Sequence, residues 1–167
     1  AGTEPVIIER GSKIEKRVSD TENFFQNAVL DEESNIQFGE GGAGTFSDGK
    51  LTTGIKDIRI KKVLELFYEM GAPEEILYEA KPHIGTDILR KVIVNIRKTI
   101  IKMGGKFYFD TKLADINIEK NVLASVTVED MEGKRTEIPA PVLILAVGHS
   151  ARDTYKMLFE KNIKMIQ

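Results

Sequence analysis

The sequence predicts an α/β fold from the order of its apolar segments. Two short runs, Pro5 to Glu9 and Val142 to Val147, are rich in aliphatic residues, which is typical of strands buried on both faces of a parallel sheet. Between them, residues 88–103 repeat apolar side chains with the period of a helix. Residues 106–138 alternate apolar and polar side chains between turn residues, which predicts an antiparallel meander.

The composition favours a globular protein with no nucleic-acid, disulfide or membrane signature. Of 167 residues, 41% are hydrophobic, and 24 Lys and Arg residues nearly balance 26 Asp and Glu residues, which gives no electrostatic basis for binding nucleic acid. Cysteine is absent and the two histidines, His83 and His149, are far apart, so we expect neither a disulfide framework nor a metal site. No apolar run reaches the roughly 20 residues of a membrane-spanning helix, and no signal-peptide pattern is visible. These features predict a cytoplasmic protein.

The first strand ends in an acidic residue, Glu9, followed by Arg10. In dinucleotide-binding folds, an acidic residue at the end of the second strand accepts hydrogen bonds from the adenosine ribose. The alternative is that the strand simply reaches water at Glu9. A Gly-x-Gly-x-x-Gly turn should lie roughly 20 residues before such a carboxylate, but only eight residues precede Glu9. We therefore expect the chain to be an internal segment of a longer protein.

The most distinctive stretch is the glycine-rich run from Ile36 to Leu51. Its glycines are Gly39, Gly41, Gly42, Gly44 and Gly49. Because they carry no Cβ, backbone N–H groups can closely approach a bulky anion. The polar residues among them are Thr45, Ser47, Asp48 and Lys50. This mixture suits a phosphate, a ribose or the polar edge of a flavin. A flexible surface loop is the alternative, but Phe38 and Phe46 favour a packed loop.

Helices are predicted on both sides of this run. Ser12 and Glu15 have the spacing of a capping box before the first helix. Its charged residues, which we expect on a solvated face, are Lys13, Lys16, Arg17 and Asp20. Asp57 is a candidate cap for a second helix that ends near Gly71. The third helix, residues 88–103, has a wide apolar face, and the charged residues that we expect outside it are Arg90, Lys91, Arg97, Lys98 and Lys102.

Two further loops carry groups that could take part in chemistry. In the run Lys81 to Asp87, His83 is a candidate proton donor or substrate clamp, although a plain loop hydrogen bond is an equal alternative. Thr86 or Asp87 is a candidate cap for the third helix. After the strand at Val142 to Val147, Gly148 and His149 lie where open α/β sheets bind ligands, beyond the carboxyl end of a strand.

Together these segments resemble the FAD-dependent oxidoreductases of the glutathione-reductase-like, two-dinucleotide-fold type. More narrowly, the chain resembles a group of uncharacterised bacterial FAD-dependent dehydrogenases. The resemblance rests on the runs Asn35 to Leu51, Gly71 to Leu77, Lys81 to Asp87 and Val147 to Thr154. It covers nearly the whole chain.

The resemblance implies roles for individual residues. Glu9 would hold the adenosine ribose with Arg10 nearby, and Leu113 would meet the adenine through its main chain. The backbone that would lie along the pyrophosphate and flavin is that of Gly41, Gly42, Ala43, Gly44, Thr45 and Phe46. The residues that would correspond to an Ala-Thr-Gly signature are Ala146, Val147 and Gly148, with Val147 in place of the threonine. Catalytic residues are not implied, and the candidates from their chemistry alone are His83, Lys50 and His149.

The expected architecture is a partial Rossmann-like FAD-binding domain formed by residues 1–52 and 140–167. Residues 53–139 would form an inserted subdomain of helices and antiparallel strands. The expected function is that of a segment of an FAD-dependent oxidoreductase, whose partners are FAD, an unidentified small-molecule substrate or electron acceptor, and the remainder of the parent chain. Because the first glycine-rich turn is missing, we expect the segment alone to bind FAD weakly or not at all. The alternatives are a non-catalytic interaction module and a nucleotide-binding or phosphate-binding module without redox activity.

Overall fold

The computed structural model describes residues 3–166 and has a mixed α/β architecture with one parallel and one antiparallel sheet. The strands are β1 (Val6–Ile8), β2 (Lys106–Tyr108), β3 (Thr111–Glu119), β4 (Val122–Asp130) and β5 (Arg135–Pro139). The helices are α1 (Ile14–Asn27), α2 (Arg59–Glu69), α3 (Thr86–Lys102) and α4 (Arg152–Glu160), with short 3-10 turns at Ala43–Phe46 and Glu74–Leu77. This confirms the α/β class.

The parallel sheet consists of β1 and β2, with Val6 beside Lys106 and Ile8 beside Tyr108. The prediction that residues 106–109 belong to the antiparallel meander is therefore wrong. The reason lies in the turn that follows, where Asp110 has a left-handed backbone with φ of 51°. That turn separates β2 from β3, so the two strands enter different sheets.

The antiparallel sheet has the order β3–β4–β5, which confirms the meander for residues 111–139. Val126 lies opposite Ile116 on one side and Ile138 on the other. The buried face of this sheet packs against Leu158 of α4 and forms one core cluster with it. A second cluster joins α2, α3 and the turn between them, and its buried members are Ala72, Ile76, Ile84, Leu89 and Val92.

The expected buried strand at Val142 to Val147 is not formed, and this prediction is wrong for the described residues. The segment pairs with no strand of residues 3–166. Val142 is 76% exposed and Ile144 85% exposed, whereas Leu143 packs against the sheet cluster. Leu145 is 41% exposed as well, so exposure does not alternate along the segment as in a half-buried strand. A strand becomes buried on both faces only when neighbours cover it.

None of the helices within residues 3–166 has the length and apolar composition to cross a membrane. The division of the chain into residues 1–52 with 140–167 and residues 53–139 stays a prediction. Residues 1, 2 and 167 of that division lie outside the described part. Within it, β1 and β2 come from different predicted units and pair directly.

Candidate functional site

The glycine-rich run folds as a packed loop around a single buried cation, Arg17 of α1. The guanidinium is fully buried, and its nitrogens donate at 2.7–3.2 Å to the carbonyl oxygens of Asn35, Ile36, Gly39, Glu40 and Gly42. It also lies 4.9 Å from the ring centre of Phe46. The prediction of a solvated Arg17 is wrong because five carbonyls take the place of water.

Burial lowers the pKa of Arg17 to about 10, so the side chain is still a cation at neutral pH. Its hydrogen-bond acceptors are all backbone carbonyls, and none is a carboxylate. The loop therefore lies directly over a positive charge whose hydrogen-bond partners are all neutral, although the nearby carboxylates of Glu9 and Glu40 oppose the fall in its pKa.

Two glycines of the loop are required by close packing, and two others leave a face open. A Cβ on Gly39 would lie 2.3 Å from Cδ of Arg17, and a Cβ on Gly41 would lie 2.5 Å from Cδ1 of Ile93. By contrast, a Cβ on Gly42 or Gly44 would meet no atom within 4 Å. The inner side of the loop is therefore closely packed, while its outer side is accessible to a ligand.

A second buried charge of the loop, Glu40, fastens it to two helices. Its Oε2 accepts from the N–H of Ile14 at 2.8 Å and from Nη1 of Arg97 at 3.0 Å. Burial raises the pKa of Glu40, although these two contacts oppose the rise. Arg97, expected on the outside of α3, is 8% exposed, so that prediction is also wrong.

Glu40 caps α1, a role that the sequence predicted for Ser12 and Glu15. The hydroxyl of Ser12 instead donates to Asp110 at 2.5 Å, and Glu15 accepts from Nη2 of Arg97 at 2.5 Å. That bond lowers the pKa of Glu15. The capping-box prediction is wrong because a carboxylate from a distant loop reaches the first N–H of α1.

The end of β1 meets the same loop through Glu9. Its Oε1 accepts from the N–H groups of Gly11 at 2.9 Å and Gly39 at 3.0 Å. Its Oε2 accepts no hydrogen bond from the described residues. Glu9, the residue predicted to bind the ribose, therefore lies directly beside the glycine-rich loop that is predicted to bind the pyrophosphate.

Arg10 lines a cavity of about 200 Å³ beside the start of β3. The other charged residues of its wall are Glu33, Asp110, Lys112, Glu129 and Asp130. Four carboxylates against two cations make this cavity suited to a ligand that donates hydrogen bonds, such as the hydroxyls and amino group of a nucleoside, and poorly suited to a phosphate. Leu113, the predicted adenine contact, follows Lys112 on β3 and is half-buried.

Arg10 also joins this end of β1 to the loop before α4. Its Nη2 lies 2.6 Å from Oδ2 of Asp153, and the guanidinium lies 4.5 Å from the ring centre of Phe38. Before Asp153, Ala146 and Gly148 are exposed and Val147 is half-buried, and the Gly148 carbonyl accepts from the Tyr155 hydroxyl at 3.0 Å. The end of β1 is therefore joined to the glycine-rich run through Phe38 and Gly39 and to α4 through Asp153.

Two of the three catalytic candidates are neighbours across a short antiparallel ladder. Lys50 lies opposite His83, and the flanking bonds run from Leu51 N to Pro82 O at 2.8 Å and from Ile84 N to Gly49 O at 3.0 Å. Both candidate side chains are exposed, and Lys50 forms an ion pair with Asp48 at 3.2 Å.

Thr86 binds the glycine-rich run just before this ladder and does not cap α3. Its hydroxyl donates to the carbonyl of Ser47 at 2.7 Å, and no side chain caps the helix at Gly85. The capping prediction for this position is wrong because the hydroxyl is drawn to the end of the glycine-rich loop.

The third candidate, His149, is exposed in the loop before α4, with Nδ1 3.5 Å from the Ser150 hydroxyl. None of its hydrogen bonds within residues 3–166 reaches Lys50 or His83. The same part of the chain contains no group of three or more His, Asp or Glu side chains placed to hold a metal ion.

Comparison with known proteins identifies a longer relative of undescribed activity. The chain is 48% identical over 164 residues to an uncharacterized protein of Clostridium beijerinckii. The match covers 98% of this chain, which spans 30% of the length of that relative. No family model matches the chain.

Proposed function

We propose that this chain is a segment of an FAD-dependent oxidoreductase and holds the adenosine, ribose and pyrophosphate portions of the cofactor. The observation that carries the proposal is the direct contact between Glu9, at the carboxyl end of a parallel strand, and Gly39 in the glycine-rich loop. Ligands of open α/β sheets bind at this end of the strands. The sequence resemblance to glutathione-reductase-like flavoproteins points to the same cofactor.

The chain's residues fit the parts of FAD in charge as well as position. The acid-rich cavity beside Arg10 suits the neutral adenosine, whose hydroxyl and amino groups are hydrogen-bond donors. Oε2 of Glu9 is free to accept from a ribose hydroxyl. The pyrophosphate would lie against the outer face at Gly42 and Gly44, which is open and lies above the charge of Arg17.

When bound, the flavin ring supplies the hydride chemistry, and the protein supplies binding and orientation. Lys50 and His83 are the side chains that we assign to the substrate side, because they are exposed neighbours at the end of the glycine-rich loop. The imidazole carries one nitrogen that donates and one that accepts a hydrogen bond, so it can hold a polar group of the substrate. The ammonium of Lys50 can orient an anionic group of the substrate or electron acceptor.

The proposal includes a Rossmann-like fold for the cofactor-binding part. We assign β1 and β2 to one Rossmann-like parallel sheet that further strands of the parent protein complete. A cytoplasmic location belongs to the same proposal.

An absorbance spectrum tests the cofactor directly. We expect the full-length protein to show flavin bands in the oxidised range, roughly 350 to 500 nm, after purification or after adding FAD and desalting. We expect residues 1–167 alone to lose FAD on desalting. A full-length protein that binds ADP but not FAD would support a nucleotide-binding module without redox activity. Binding of neither ligand would support a non-catalytic interaction module.

A further inference from the structure

The five carbonyls around Arg17 define which way the peptide groups of the glycine-rich loop face. Nη1 of Arg17 donates to the carbonyl of Glu40 at 2.7 Å and to that of Gly42 at 2.9 Å. Both carbonyls therefore point inward, toward the helix. The hydroxyl of Thr45, which is also fully buried, donates to the same Glu40 carbonyl at 3.2 Å.

A trans peptide plane couples each carbonyl to the N–H of the next residue. The two groups point in opposite directions, and the described residues contain no cis peptide bond. The inward carbonyl of Glu40 therefore turns the N–H of Gly41 outward, and the inward carbonyl of Gly42 does the same for Ala43. Neither N–H has an acceptor among residues 3–166, and both residues are exposed.

The outward amides and the buried cation reinforce each other. A donor without a partner favours an acceptor from a ligand, and the buried cation of Arg17, whose hydrogen-bond acceptors are all neutral carbonyls, adds positive charge beneath the loop. Gly41 and Ala43 have no side chains that could orient these amides, so the donors on the two carbonyls set their direction. Arg17 forms the shorter bond to each carbonyl, and Thr45 adds its hydroxyl at Glu40 and its N–H at Gly42, both at 3.2 Å. Arg90 lies 5.1 Å from the ring centre of Phe46 but donates to none of these carbonyls.

We propose that Arg17 is the positioning residue of the phosphate site: by drawing the carbonyls of Glu40 and Gly42 inward, it directs the N–H groups of Gly41 and Ala43 at a phosphate oxygen. This inference rests on the proposed function, because it names how that cofactor site is formed. Arg17 does not touch the ligand. It acts through the backbone, so its loss changes anion binding even when the fold survives.

The test uses the full-length protein labelled with ¹⁵N, with inorganic pyrophosphate and FAD as probes. The variants are Arg17→Lys and Arg17→Met, and Ile76→Ala is the control. Ile76 is 1% exposed in the helical core, so its truncation lowers stability without touching the loop. We expect pyrophosphate to shift the amide resonances of Gly41 and Ala43 in the wild type.

The variants should separate the positioning role from a purely structural one. We expect Arg17→Lys to weaken pyrophosphate and FAD binding about tenfold, because lysine cannot hold all five carbonyls. Arg17→Met should abolish the amide response, and Ile76→Ala should keep the wild-type affinity at a lower melting temperature. If Arg17→Met does not fold, the Gly41 and Ala43 shifts in Arg17→Lys decide the question.

The outcomes distinguish this inference from the proposed function. If FAD is retained with unchanged affinity in Arg17→Lys, or if FAD binds the wild type without shifting the two amides, the role of Arg17 is refuted and the flavin function stands. If pyrophosphate shifts the amides in the wild type and binds more weakly to Arg17→Lys, but FAD does not bind, the flavin function is refuted and the role of Arg17 stands. If neither probe binds the wild type, both are refuted.

Discussion

Replacing Arg97 by methionine tests how far the buried carboxylate of Glu40 depends on one cation. The side chains of Arg97 and Glu40 are 10% and 6% exposed, and their charged atoms lie 3.0 Å apart. Removing one partner of a buried pair costs about 3–5 kcal/mol, because the other charge stays buried without compensation. We therefore expect Arg97→Met to lower the free energy of unfolding by about 3–5 kcal/mol.

The second partner of Arg97 should contribute far less. Glu15 lies 2.5 Å from Arg97, but its side chain is 61% exposed, and exposed ion pairs are screened by water. We expect Glu15→Gln to cost less than about 1 kcal/mol. This variant is the matched control, because it removes the other carboxylate from the same guanidinium.

The pH dependence identifies Glu40 as the origin of the loss. Burial raises the pKa of Glu40, and Arg97 opposes that rise, so the pKa should rise further in Arg97→Met. A carboxyl group with a raised folded-state pKa contributes its full stability below its unfolded pKa, and that stability is lost as the pH rises through the folded value. The penalty of Arg97→Met should therefore be small in acid and grow toward neutral pH.

Urea denaturation between roughly pH 4 and pH 7 measures both quantities. In the Arg97→Met background, we expect Glu40→Gln to restore part of the lost stability, because it removes the unpaired charge. A loss below about 1 kcal/mol at neutral pH would place the pair in the class of surface ion pairs and refute the reasoning. A loss that does not change with pH would also refute it.

Three further predictions concern the loop, the strand end and the unpaired segment. Gly39→Ala should lower the free energy of unfolding by about 2 kcal/mol or more, because the new Cβ collides with Arg17 and φ is 118°. The control is Gly44→Ala, whose Cβ meets no atom within 4 Å and which should change the free energy of unfolding by less than about 0.5 kcal/mol. Equal effects of the two substitutions would contradict the packing of the loop around Arg17. Glu9→Gln should weaken ADP binding to the full-length protein about tenfold in calorimetry, because a ribose hydroxyl loses a charged acceptor; unchanged affinity would place the ribose elsewhere. Ile144→Ser in residues 1–167 should change the free energy of unfolding by less than about 0.5 kcal/mol in urea denaturation, because the side chain is 85% exposed; a large loss of stability would show that the segment is buried.

Much of the local structure could be predicted from the sequence, because it depends on neighbours along the chain. The period of α3, the alternation of β3 to β5 and the aromatic residues of the glycine-rich run are all local signals. The same is true of the candidate site, where Glu9 ends a strand and the loop is packed. The sequence could not indicate that Lys50 and His83 face each other, since the ladder joins segments far apart in the chain.

By itself, then, the sequence determined where the helices and most strands form, and it indicated that the glycine-rich run is a packed loop. Tertiary structure decided which charges are buried and which apolar residues are not. Arg17 has the same local pattern as the solvated Lys16, and only the arrival of five carbonyls from residues 35–42 makes its burial favourable. Ile144 has the pattern of a core strand residue, yet it stays exposed because a strand is buried by its neighbours and not by its own composition.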